Sequence, residues 1–214
     1  MPLPDPIVHV VDDEAAIRDS LAMLLRSVGL ASRTWANARE FLAGYAPDAP
    51  ACLIVDVRMP GMSGLELQEA LRARGEALPV VIVTGHGDVA MAVRAMKNGA
   101  ADFLEKPFND QTLLDAVHRA LAAAGAGAGA AESPAAVAAS ARVAILDRLQ
   151  ELTPREREVM ELVAEGRPNK VVATRLGLST RTVEVHRAKV MEKMGARSLA
   201  DLVRMAIAAE ILGP

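Results

Sequence analysis

An α/β doubly wound parallel sheet of five strands, joined by a linker to a small all-α domain, is predicted for this chain by three observations. Short apolar runs alternate with amphipathic segments over the first 124 residues, as buried parallel strands alternate with crossover helices. The stretch AAAGAGAGAAESPAAVAAS that follows has almost no large side chain and cannot bury a core. Beyond it, apolar residues recur only at helical spacing.

In order, the pattern predicts strand 6–11, helix 14–28, strand 31–35, helix 37–44, strand 51–55, helix 64–73, strand 79–84, helix 88–98, strand 101–105 and helix 109–122. The stretch Pro60-Gly61-Met62-Ser63-Gly64 is turn chemistry. Domain boundaries are expected at 1–124, 125–149 and 150–214. Within the linker, residues 125–133 form a flexible joint. Ser133-Pro134 reads as an N-cap with proline at the first helical position, opening a helix whose Val137, Ala141, Ala144, Ile145 and Leu149 line one side. That stripe suits either docking of one domain on the other or pairing of two subunits. In the last domain, 169–176 is a short helix, Gly177-Leu178-Ser179 a turn, and Thr180-Arg181-Thr182 opens the next helix.

Bulk properties restrict the function. No apolar stretch approaches the roughly 20 residues of a membrane span, and the start MPLPDPIVHV lacks the basic segment of a secretion signal, so a cytoplasmic protein without membrane partners is expected. Cys52, the single cysteine, sits in a strand-like run, which excludes disulfides and thiolate metal sites within the chain. Residues 1–125 carry 11 Lys+Arg against 16 Asp+Glu, whereas 142–214 carry 13 against 10. Residues 167–197 hold eight basic residues against Glu184 and Glu192, a balance that suits a phosphate backbone.

Five polar residues each follow an apolar run: Asp12 and Asp13, Asp56, Thr84 and Lys106. In open α/β sheets the carboxyl ends of the strands share one edge, where working groups collect. Three carboxylates crowded there repel one another unless a cation neutralises them, and Mg²⁺, a small hard ion, binds through carboxylates plus a phosphoryl group. Asp56 is the candidate nucleophile for an aspartyl phosphate, Asp12 and Asp13 would hold the metal, Lys106 supplies a compact cation and Thr84 a hydroxyl donor.

Residues 5–124 resemble the receiver domain of bacterial two-component response regulators through VVDDE, DVRMPGMSG, VTGHGD and DFLEKPF, in that order. Residues 150–212 resemble the LuxR-type helix-turn-helix domain through LTPREREVMELVAEG, NKVVATRLGLSTRTVEVHRAKVMEKMG and ARSLADLVRMA. Together they resemble the FixJ subgroup. The resemblance implies a flavodoxin-like receiver fold and a transcription factor rather than an enzyme, phosphorylated on Asp56 by a sensor histidine kinase. It adds the Arg58 backbone carbonyl to the metal ligands and a cis Lys106–Pro107 peptide. It also places Arg58 and His86 beside the hydrolytic water and makes Thr84 and Phe103 the switch pair, Phe103 turning inward on phosphorylation. Dimerisation is then expected through Met91, Val93, Arg94 and Lys97, followed by binding to promoter DNA and recruitment of RNA polymerase. A metal-dependent phosphohydrolase is the rival reading, but its second acidic residue would stand two positions after the nucleophile, where Arg58 stands. A receiver that only dimerises would lack a pocket residue, and none is missing.

At about 100° per residue, Val183, Val190 and Met194 share one stripe of the second helix, with Arg181, Val185, Ala188, Lys189 and Glu192 near the opposite side. Such a helix enters the major groove by its N-terminal part, so Arg181, Glu184, Val185, Ala188 and Lys189 are candidate base readers. Thr182, at the helix start, joins the DNA-binding set. Asn169, Lys170, His186, Arg187 and Lys193 suit phosphate contacts. For Glu184 a salt bridge to Arg181 or Arg187 is an equal alternative.

Overall fold

The computed structural model describes residues 5–47, 49–85, 89–125 and 134–211, without the side chains of 134–141. His86, joint residues 126–133 with the Ser133 cap, and the side chains of Val137 and Ala141 therefore lie outside the described residues.

Strands β1 (Ile7–Val11), β2 (Ala31–Trp35), β3 (Ala51–Asp56), β4 (Val80–Thr84) and β5 (Asp102–Glu105) form one parallel sheet in the order β2-β1-β3-β4-β5. The helices between them are α1 (Ala15–Ser27), α2 (Ala38–Gly44), α3 (Gly64–Ala73) and α4 (Val89–Lys97), with α5 (Asp110–Gly125) after the last strand. The three inner strands are almost continuously buried, which is why they read as unbroken apolar runs, while β2 at the edge is partly exposed. Val8, Val10, Ile54, Val81 and Val83 pack with Leu21 and Leu25 of α1 and Leu113 and Val117 of α5. Each such side chain contributes about 1.5–3 kcal/mol relative to exposure. Helix α5 runs to Gly125, three residues past the predicted end, because alanines 122–124 continue the helix before the glycines stop it. His9 is buried among aromatic rings: its Nδ1 accepts from Trp35 Nε1 at 3.2 Å, and Phe41 and Tyr45 meet it edge-on.

After the linker come α6 (Pro134–Gln150), α7 (Pro154–Ala164), α8 (Asn169–Leu176), α9 (Thr180–Met194) and α10 (Leu199–Ala208). Helix α7 opens with a reciprocal capping box between Thr153 and Glu156. The turn after α8 needs Gly177, whose φ is +65°, and the actual N-cap of α9 is Ser179, accepting from the Thr182 backbone N–H. Two compact units result: Met1–His86 with Asn98–Gly129, and Gly87–Lys97 with Ala130–Pro214. The connecting helix α6, expected to belong to a separate linker, therefore groups with the C-terminal helices. Leu149 is buried, Ile145 half-buried and Ala144 exposed, so among the described residues of the predicted stripe only the C-terminal end is packed. Among the described residues no helix is long and apolar enough to cross a membrane.

Candidate functional site

The sheet order reverses direction at β1 and β3, and a doubly wound sheet opens a crevice at that point, beyond the carboxyl ends of the strands. Asp12 follows β1 and Asp56 ends β3, so the two carboxylates face each other there. Both are buried, at 1% and 7% exposure. The Lys106 ammonium lies between them, 2.9 Å from Asp12 Oδ2 and 3.0 Å from Asp56 Oδ1. Burial alone would pull the pKa of this lysine down. Hydrogen bonds and attraction to the two aspartates outweigh it, and the net shift is upward.

Backbone geometry fixes each partner. The second oxygen of Asp12 accepts from the Glu14 N–H at 2.9 Å, at the entrance to α1. The second oxygen of Asp56 accepts from the Arg58 N–H at 2.5 Å. The Lys106 backbone N–H donates to the Thr84 carbonyl at 2.7 Å, tying the lysine to the end of β4, and the Lys106–Pro107 peptide is cis, as the resemblance implied. Thr84 is fully buried. Gly64, at the start of α3, lies directly against the backbone of Asp56. A methyl there would overlap the Asp56 carbonyl oxygen and come within 3.1 Å of Val55 Cγ2. A Ser63–Glu66 capping box holds α3 in this close approach.

Asp13 stands apart. It is exposed, and its backbone carbonyl accepts from Arg18 Nη1 at 3.0 Å. Among the described residues no group of three or more His, Cys, Asp or Glu side chains forms a ready metal site. The donor chemistry nevertheless fits Mg²⁺. Asp12, Asp13 and Asp56 against the one ammonium of Lys106 leave an excess of negative charge, and their donor atoms are all hard oxygens. Phe103, expected to turn inward on phosphorylation, is 8% exposed here. Of the expected dimer residues, Arg94 and Lys97 are exposed and Met91 is half-buried, but Val93 is buried and so cannot contribute to a surface in this conformation.

The second candidate surface is α9. Val183, Val190 and Met194 are buried, and Arg181, Glu184, Val185, Ala188, Lys189 and Glu192 are exposed, so the helical facing predicted from the sequence is the one observed. Val185 is half exposed, unusual for a valine on a packed helix. Thr182 lies half-buried at the capped start, and Lys170 is exposed on α8. His186 is half-buried beside the packed stripe. Arg187 Nη1 donates to Asn169 Oδ1 at 2.6 Å, joining α9 to the start of α8. Burial lowers the pKa of Arg187, and the charge of Glu184 offsets part of that shift.

Lys193 is bonded within this unit. It was expected to hold a phosphate, but its ammonium donates to Glu156 Oε2 at 2.7 Å and to the Glu151 carbonyl at 3.1 Å. Glu156 is 3% exposed, and Lys193 first, with the Thr153 backbone N–H second, holds its pKa down at about 2. In this conformation the Lys193 ammonium is engaged within the unit. Helical facing missed this because Glu156 is 37 residues away in sequence. The glutamate at the third position of a capping box, reaching back to Thr153, was the available clue.

Both halves match known families. Residues 8–118 match the response regulator receiver domain, and residues 150–206 match the bacterial regulatory proteins of the luxR family. The chain belongs to the two-component response regulators that join a receiver domain to a LuxR-type DNA-binding domain. It is similar to the C4-dicarboxylate transport transcriptional regulatory protein DctR of Rhodobacter capsulatus, 50% identical over 200 residues, covering 92% of this chain and 98% of that protein. It is equally similar to the transcriptional regulatory protein FixJ of Azorhizobium caulinodans, 50% identical over 204 residues, covering 95% and 93%. Full-length FixJ from B. japonicum, a solved structure, is 43% identical with a TM-score of 0.51, covering 99% of this chain and all of that one. Receiver domains take their phosphoryl group from a histidine kinase and bind Mg²⁺ at the phosphorylation site, and LuxR-type domains bind DNA.

Proposed function

We propose that Asp56 is the phosphoryl acceptor and that its phosphorylation controls DNA binding by α9. The observation that carries this is the Lys106 ammonium shared between the buried Asp12 and Asp56 carboxylates at the sheet's switch point. An Asp56 oxygen attacks the phosphorus of a kinase phosphohistidine. The P–N bond breaks as the P–O bond forms, and the departing imidazole nitrogen takes up a proton. Lys106 offers its charge to the phosphoryl oxygens, with the Thr84 hydroxyl as a further donor. Asp12, Asp13, Asp56 and the Arg58 carbonyl are the residues that would hold Mg²⁺, which when bound neutralises phosphoryl charge and restrains the transferring group in line. The chain assists this transfer and its reversal and turns over no other substrate.

Phosphorylation is read out through Thr84 and Phe103 to a dimer surface carrying Met91, Arg94 and Lys97, with Val93 exposed only after rearrangement of α4. The dimer then binds promoter DNA in the cytoplasm and recruits RNA polymerase. Arg181, Glu184, Val185, Ala188 and Lys189 are the proposed base readers, and Lys170, Arg187, Asn169 and His186 flank them. The test is Asp56→Asn, which keeps shape and removes the nucleophile. With acetyl phosphate and Mg²⁺, intact mass should show a phosphoryl adduct on the wild type and none on the mutant. Equal labelling of both would move the acceptor elsewhere.

A further inference from the structure

The far end of the DNA-reading helix is tied to the connecting helix by a contact that its exposed stripe does not use. Helix α9 ends on Gly195, in the left-handed conformation at φ +65°, with Gly195 N–H donating to the Glu192 carbonyl and Ala196 N–H to the Met191 carbonyl. Those bonds satisfy two of the last orphan acceptors. The Met194 carbonyl takes a different donor: Arg148 Nη1, from the last turn of α6, at 2.9 Å. The guanidinium packs so closely that a Cβ on Gly195 would lie 3.1 Å from Nη1. A cation here also meets the negative end of the α9 dipole.

The same helix end is bound again one residue earlier. Lys193 donates to the Glu151 carbonyl, immediately after α6, and to Glu156 in the first turn of α7. Helix α6 is further joined by Leu149, buried at 4% exposure, and by an Arg142–Glu210 ion pair at 3.1 Å. At its middle, Arg187 holds α9 to Asn169. The placement of α9 is therefore fixed at its middle and at its C-terminal end, and the second of these is fixed by α6.

We infer that Arg148 is a positioning residue for DNA recognition: by bonding the Met194 carbonyl it makes the aim of the α9 stripe depend on the placement of α6. Base contacts tolerate misplacement poorly, whereas phosphate contacts by long side chains follow the backbone more freely. Losing Arg148 should consequently erode sequence discrimination more than total affinity. This rests on the reading that α9 enters the major groove.

The test uses the full-length chain. A duplex is selected from a random pool by the wild type treated with acetyl phosphate and Mg²⁺, and binding to it and to a scrambled duplex is then measured. Arg148→Gln should lower the ratio of selected to scrambled affinity by about threefold or more, while scrambled affinity stays near wild type at a temperature well below the Tm of both proteins. Arg148→Lys, which keeps charge and one donor, should recover most of the ratio. An unchanged ratio in Arg148→Gln would overturn the inference, as would affinity for both duplexes falling together with Tm, the mark of a merely structural role. A wild type that enriches no sequence would instead sink the assignment of α9 as a DNA reader, and this inference with it.

Discussion

Replacing Lys193 with methionine separates a structural lysine from a DNA anchor. The substitution keeps the apolar stem and removes the ammonium that neutralises Glu156 from 2.7 Å and caps the Glu151 carbonyl. Glu156 is left buried with a charge supported only by Thr153, whose backbone N–H donates at 2.9 Å. Losing a hydrogen bond to a charged group costs about 1.5–3 kcal/mol, lowered toward the bottom of that range because the Lys193 side chain is 32% exposed. In a unit of this size each kcal/mol moves Tm by about 4–8 °C. The pH dependence is specific. Glu156 has a folded-state pKa of about 2 against an ordinary 4.5, so its contribution is complete above 4.5 and drains away as pH falls through 2. The difference in Tm between wild type and Lys193→Met, followed by circular dichroism, should be largest near neutrality and shrink across that window. A mutant as stable as wild type at pH 7, whose DNA binding shows a log–log salt slope lower by about one, would refute this and return Lys193 to the phosphate backbone.

Gly64→Ala should lower both stability and the rate of labelling by acetyl phosphate, because its methyl overlaps the Asp56 carbonyl; overpacking of this kind costs about 1–3 kcal/mol, and labelling at the wild-type rate would mean that α3 does not fix the nucleophile. Lys189→Ala, at an exposed position on α9, should cost about 1–3 kcal/mol on a selected duplex and much less on a scrambled one, measured by fluorescence anisotropy; equal losses on both would make it an anchor instead of a reader.

What could be read from the sequence depended on how locally each residue's role is encoded. Asp12, Asp56, Thr84 and Lys106 announce themselves because each ends or follows a short, mostly buried strand run, and parallel strands bring their carboxyl ends to one edge whatever the loops do. The facing of α9 was legible for a similar reason, since 3.6-residue periodicity alone separates Val183, Val190 and Met194 from the exposed stripe. Long-range polar pairs were not legible. Nothing local to Lys193 names Glu156, and nothing local to Arg148 names the Met194 carbonyl, so a lysine and an arginine in basic surroundings read as solvated charge. Asp12 and Asp13, adjacent and chemically identical, were indistinguishable until the backbone left one buried and the other exposed. Composition also misled at α6, where the alanine-rich start concealed an end that is bonded into the C-terminal unit.

The bonds of Lys106 explain why a change at Asp56 would not stay there. Its ammonium is divided between two carboxylates at nearly equal distances, 2.9 and 3.0 Å, so neither holds it decisively. A phosphoryl group on Asp56 would place added negative charge on one side of that balance and draw the ammonium toward it, weakening the contact with Asp12. The lysine cannot respond as an isolated side chain. Its backbone N–H is bonded to the Thr84 carbonyl at the end of β4, and Phe103, Leu104 and Glu105 run directly into it along β5. Asp12 is fixed in turn, by the Glu14 N–H at the head of α1 and by an Arg18 bond to its own carbonyl. Restrained on that side, the adjustment would fall on the end of β4, where Thr84 stands, and on β5, which carries Phe103. A lysine suits this role better than an arginine, because a compact point charge on a flexible stem shifts between acceptors, whereas a bidentate fork would commit to one.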